Sequence, residues 1–286
     1  MAPLLHRHPS TGSPSVRPPL LLVHGLGGDR HTWRPIVERL RSERDVLVAE
    51  LPGFGDAPAL PDDVEPRPKA LARALGAELE RQEIGRVHAV GVSLGGWVSL
   101  ELAAEGHASS VTALAPAGFW PRPLGVPRGE LAKLARLSDP LLPVLLRSPH
   151  LRNAVLTRMM GGPGRFGYED AINLIRGYAR STDLPRVNAA MRARTFDWEN
   201  RLEGIADRVP VQIVWGGTDP LVRAPRGVFP DNVVIHRLAE AGHMPMFDDP
   251  DAIVALILSF SGEAEDRAPA DPATDADLSS IPPGTA

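Results

Sequence analysis

Ser93 stands between glycines in Gly91-Val92-Ser93-Leu94-Gly95-Gly96, after the apolar run RVHAV and before WVSLELAAE. A strand that ends and a helix that starts around one serine form a nucleophile elbow, and the glycines remove side chains that would collide across so sharp a turn. Ser93 then lies at a helix N-terminus, where free amides and the helix dipole favour developing negative charge. Alone, a serine in a glycine turn is common and could be structural. A serine hydroxyl needs a base, and that base an orienting acid. Asp219 ends VWGGTD and His243 ends LAEAGH, each in a glycine-marked loop just past an apolar run. Singly, Asp219 could be a turn former before Pro220 and His243 a packing residue. Asp207, Asp248 and Asp249 are rival acids, but Asp207 precedes its strand and the other two start the last helix.

His24-Gly25-Leu26-Gly27-Gly28 offers what a tetrahedral intermediate needs, main-chain N–H groups for an oxyanion. The expected donors are Leu94, after the nucleophile, and Leu26; His24 is expected to brace the loop. The loop lacks the spacing of a dinucleotide fingerprint and the Lys-Ser/Thr of a phosphate loop.

These residues need a frame that brings strand ends together. PLLLVHG, DVLVAELPGFG, RVHAVGVS, VTALAPAG, VPVQIVWGGTD and NVVIHRLAEAGH read as strands, with LLHRH as a weak edge strand. Helical patterns fall at 31–40, 69–84, 94–106 and about 250–261. Alternating strands and helices predict an α/β fold, a mostly parallel sheet with helices on both faces. Ser93, Asp219 and His243 then share its C-terminal edge, where open α/β sheets build their sites. Residues 119–203 show helical patterns only (GELAKLARL, HLRNAVLTRMM, YEDAINLIRGYA), too long for an ordinary connection, and read as an inserted helical cap. The core is expected at 19–118 and 204–261, and the flanks at 1–18 and 262–286 are expected to be a flexible or weak-edge segment and a disordered, acidic, Pro/Ala-rich tail.

The 286 residues suffice for one large domain, and a net charge of -4 gives no nucleic-acid signature. With no cysteine in the chain, disulfides and thiolate catalysis are excluded. The N-terminus lacks a signal-peptide core, no apolar run approaches the roughly 20 residues that span a bilayer, and a soluble cytoplasmic protein is expected.

HGLGG, LPGFGDA, GVSLGG, GGTDPLV and GHMP together resemble the α/β-hydrolase superfamily, its small carboxylesterase-like branch above all, over about residues 20–118 and 205–261. The resemblance implies Ser93 as nucleophile, Asp219 as acid, His243 as base, Leu26 and Leu94 as the oxyanion hole, and a cap over the site. It implies eight strands, of which the first edge strand is expected to be missing here. Trp97, one turn into the serine helix, and Met244, beside His243, are expected pocket walls, with Trp120 and Met160 from the cap. GGPGRFG, 161–167, is expected to be a mobile hinge. Arg147, Arg152, Arg158, Arg165, Arg176, Arg180, Arg186, Arg192 and Arg194 in the cap are usually a solvated face, and only weakly suggest an acidic carrier protein. The expected activity is serine hydrolysis of an ester or thioester of a small apolar acid, a small-molecule substrate, with no metal or cofactor. C–C bond hydrolysis, acyl transfer, lyase or perhydrolase chemistry, and ligand binding without catalysis, remain alternatives.

Overall fold

The computed structural model describes residues 4–12, 17–124, 142–161, 166–227 and 229–267. Its seven strands are β1 (Leu5–His8), β2 (Leu20–Val23), β3 (Val46–Ala49), β4 (Val87–Val92), β5 (Ala108–Leu114), β6 (Val211–Gly216) and β7 (Val233–Leu238). They lie in the order β1-β3-β2-β4-β5-β6-β7, with β1 antiparallel to β3 and every other pair parallel. LLHRH thus forms the edge strand, and of its residues only Leu5 is buried, as suits a weakly covered edge. LLLV and VLVA are buried at every position because helices cover both faces, so these strands read as unbroken apolar runs.

Helices α2 (Pro68–Arg81) and α3 (Leu94–Ala104) pack on one face through Leu71, Leu75, Val98 and Leu102. Helix α1 (Arg34–Leu40) and the C-terminal helix pack on the other through Ile36, Leu40, Ile253 and Ile257. The helix expected from residue 31 begins as a 3-10 turn, Arg30–Trp33, capped by the Asp29 side chain; Pro35 has no N–H for a continuous ladder, so the α-helix starts only at Arg34. Helix α2 ends early because Glu83 takes a left-handed conformation and Ile84 N–H returns to Leu79 O, 2.9 Å away.

Between β5 and β6 the described residues form helices and no strand: α4 (Leu142–Leu145), α5 (Pro149–Met160), α6 (Tyr168–Arg180), α7 (Leu184–Arg192) and α8 (Trp198–Ala206). The expected boundary at 203/204 falls inside α8, whose Leu202 and Ile205 join the core. GELAKLARL and residues 162–165 of the expected hinge lie outside the described residues. After α9 (Pro245–Asp248), helix α10 runs Pro250–Arg267. The tail expected to be disordered from 262 is therefore helical to 267. Ala264 is buried there, and Glu265 pairs with Arg44 and His88. Residues 268–286 lie outside the described ones.

Candidate functional site

Ser93 links β4 to α3 with φ 56° and ψ −118°, a backbone state that costs about 1–3 kcal/mol for a residue with a side chain. Three hydrogen bonds impose it. Ser93 N–H donates to Leu114 O at 2.9 Å, and Ser93 O accepts from Ala117 N at 2.9 Å and Trp97 N at 3.2 Å. Both elbow glycines are required by space. A Cβ on Gly91 would come within 2.1 Å of Gly95 O, and one on Gly95 within 2.1 Å of Val23 O.

The loop after β2 lies against the elbow. A Cβ on Gly25 would stand 3.2 Å from Ser93 Cβ, so Leu26 belongs to the same corner as Ser93. Leu94 is the first residue of α3, and the first N–H groups of a helix have no acceptor within it. His24 is fully buried, and both its nitrogens are occupied. Nδ1 donates to Gly25 O at 2.8 Å and Nε2 accepts from Leu51 N–H at 3.0 Å. That pattern fits only a neutral ring, and burial lowers its pKa in the same sense. His24 clamps this loop to the LPGFG loop.

Asp219 follows β6 and His243 follows β7, both at the C-terminal edge that Ser93 shares. His243 Nδ1 donates to Asp219 Oδ2 at 2.8 Å, with both side chains buried. The other carboxylate oxygen, Oδ1, accepts from Leu221 N–H at 2.7 Å and Val222 N–H at 3.0 Å, which fixes the plane of the group. His243 Nε2 is left as the acceptor. Gly216 and Gly217 let the histidine loop pass, since a Cβ on Gly216 would come within 2.1 Å of Gly242 O. The end of α5 ties both loops: His243 N–H donates to Met160 O at 2.6 Å, and a Cβ on Gly161 would meet Thr218 O at 2.4 Å.

The rival acids have other partners. Asp248 accepts from Gly242 N–H at 2.8 Å, Asp249 from Ala252 N–H at 3.1 Å, and Asp207 from Asn232 at 2.8 Å. Met244 is buried beside His243, and Met160, whose carbonyl accepts from His243 N–H, is half-buried. Trp97 is 3% exposed, its ring packed against Trp120 and Phe196 and its Nε1 donating to Glu101 at 3.1 Å. Its indole is thus part of the core. Trp120 is held by a 2.7 Å bond from Nε1 to Arg194 O.

Two supports escaped the sequence reading. Glu50, fully buried at the end of β3, accepts from Arg30 Nη1 at 2.9 Å and Asp56 N–H at 3.1 Å, joining the segments after both glycine loops. A lone glutamate closing the run DVLVAE was its one signal. Glu101 takes a two-pronged bond from Arg201 at 2.8 and 2.9 Å, linking α3 to α8; nothing in the sequence pairs residues that far apart. Among the described residues, no group of three or more His, Asp or Glu could hold a metal, and no helix is long and apolar enough to cross a membrane.

The chain is 29% identical over 249 residues to the dihydrolipoyllysine-residue acetyltransferase component of the acetoin cleaving system of Pseudomonas putida, covering 85% of this chain and 63% of that protein. It is 29% identical over 260 residues to a pimeloyl-[acyl-carrier protein] methyl ester esterase of Neisseria meningitidis, covering 84% of this chain and 91% of that one. Among solved structures it resembles a thermophilic esterase from Thermogutta terrifontis, with a TM-score of 0.64 at 19% identity over 91% of this chain and 93% of that one. The enol-lactonase of Burkholderia xenovorans LB400 gives 0.62 at 18%, over 90% and 95%. Residues 20–256 match one family from the loop strand to the last helix, and the chain belongs to the alpha/beta hydrolase family.

Proposed function

We propose that the protein is a serine esterase, cleaving an ester or thioester of a small apolar acid through an acyl-enzyme. The observation that carries this reading is the buried 2.8 Å Asp219–His243 pair on the same sheet edge as a serine in a strained turn. A pure binding protein has no use for that strain.

In this mechanism His243 Nε2 takes the proton of Ser93 Oγ as the oxygen attacks the substrate carbonyl. The Leu26 and Leu94 amides hold the oxyanion, and Asp219 keeps Nδ1 protonated and steadies the imidazolium that forms. His243 returns the proton to the departing alcohol or thiol. Water, activated by the same ring, then releases the acid. Met244 and Met160 supply apolar wall, and Trp97 shapes the pocket from beneath by fixing Trp120. The Neisseria relative's name speaks for an ester substrate. A small molecule fits better than a carrier protein, because Arg152, Arg186, Arg192 and Arg194 of the cap have partners within the chain. The Pseudomonas relative's name keeps acyl transfer as a second reading, in which another acceptor replaces water.

Nitrophenyl esters of rising acyl length test both. A burst of nitrophenol with an acyl mass added to Ser93 is expected, followed by release of free acid. Acid release unaffected by added thiol or amine favours hydrolysis. A well-folded protein with neither burst nor adduct would remove the esterase reading.

A further inference from the structure

The chain has two tyrosines, and their hydroxyls differ. Tyr168 donates to Pro143 O at 3.1 Å. Tyr178, near the end of α6, is half-buried, and among the described residues nothing hydrogen-bonds its hydroxyl. Its ring lies on the loop that carries Leu26. Gly27 has φ 76°, and a Cβ there would come within 2.3 Å of Tyr178 Cδ2 and 3.2 Å of Cε2. The hydroxyl is two bonds beyond Cε2. The helix is pressed onto the same loop by Gly177, where a Cβ would stand 3.1 Å from Gly27 O. Ser181 Oγ, which donates to Gly177 O at 2.6 Å, tightens the turn. Asp183 then packs on Gly53 of the neighbouring loop, a Cβ on Gly53 coming within 2.3 Å of Asp183 Cβ. Residues 177–184 are thus wedged between the two glycine loops, which makes the tyrosine's place rigid. Burial holds the phenol above its ordinary pKa, so it remains a donor through the neutral range.

A rigid, partly desolvated donor with no acceptor among the described residues, on a ring that lies against the residue after Leu26, has the chemistry to hold a substrate oxygen. Resting on the Ser93 reading above, we propose that the Tyr178 hydroxyl donates a hydrogen bond to the ester group bound at the Leu26 and Leu94 amides, as a specificity-determining contact with oxygen-bearing substrates. Its position belongs to the helical insertion, which supplies a polar contact as well as apolar wall.

Tyr178→Phe separates this from a structural role, because phenylalanine keeps the ring on Gly27 and removes an oxygen that none of the described residues bonds. The expected result is a roughly 10- to 100-fold loss of kcat/KM on nitrophenyl esters, the worth of a bond to a developing charge. The thermal midpoint should be unchanged, and a fluorophosphonate should still label Ser93 to full stoichiometry. An unchanged kcat/KM would overturn the inference, and so would a loss accompanied by a lowered midpoint. If wild-type protein takes no label at Ser93, the esterase reading fails first, and that failure is distinguishable from a labelled variant with normal kinetics.

Discussion

Asp219→Asn changes one atom of the site, and the structure dictates which. Asp219 Oδ1 accepts two backbone N–H bonds, from Leu221 and Val222. An asparagine must keep its carbonyl oxygen there, because an NH2 facing two N–H groups would have no acceptor. The NH2 then replaces Oδ2 against His243 Nδ1, 2.8 Å away, and can only donate. Nδ1 must accept, the proton moves to Nε2, and the ring can no longer take the proton of Ser93. An amide in place of a triad carboxylate lowers kcat by about 10⁴-fold, or about 5.4 kcal/mol of barrier at 1.36 kcal/mol per tenfold. The loop bonds survive, so the thermal midpoint should move little. Steady-state kinetics on a nitrophenyl ester beside a calorimetric melt reads both. Activity within tenfold of wild type would refute the tautomer argument, and a collapsed melt would show that Asp219 acts mainly on the loop.

Ser93→Gly should abolish activity yet raise stability by up to about 2 kcal/mol, as relief of the positive-φ strain outweighs the entropy of glycine; denaturant melts check it, and a destabilised variant would contradict the strain. Stability should fall as pH drops from about 7 to 5. Burial depresses the pKa of His24, and of His88, below the unfolded value of about 6.5, so the unfolded chain binds more protons there and stability is lost as pH falls through the folded pKa. His31, raised by its Asp29 bond, works the other way but is partly exposed. A urea midpoint that holds constant or rises on acidification would overturn the assignment. Arg201→Met should cost more than Glu101→Gln, toward the lower end of the roughly 3–5 kcal/mol of a broken buried pair. The Glu101 side chain is 4% exposed and would lose its counter-charge, keeping only the Trp97 bond, whereas Arg201 is 38% exposed and can turn to water. Paired melts test the order.

The candidate site was legible because its parts are local. A glycine two residues before and two after Ser93, and glycines at 216, 217 and 242, report close backbone approach at the ends of apolar runs. Those contacts are seen at Gly91, Gly95 and Gly216. The parallel sheet followed from the same runs. What could not be read is long-range. Glu265 extends the last helix past Gly262 because Arg44 and His88 wait for it, 177 residues away in the case of His88. Trp97 has the spacing of a pocket residue, but Glu101 one turn later captures its indole and draws it into the core. Tyr178 carries no sequence signal, since only the folded chain lays α6 on the Gly27 loop.

Intact-mass spectrometry after treatment with a fluorophosphonate, on wild type, Ser93→Ala and His243→Ala, tests the central claim most directly. One adduct on the wild type, none on the serine variant and slow labelling of the histidine variant is the predicted result. A folded wild type that takes no adduct, or takes it at another residue, would contradict it.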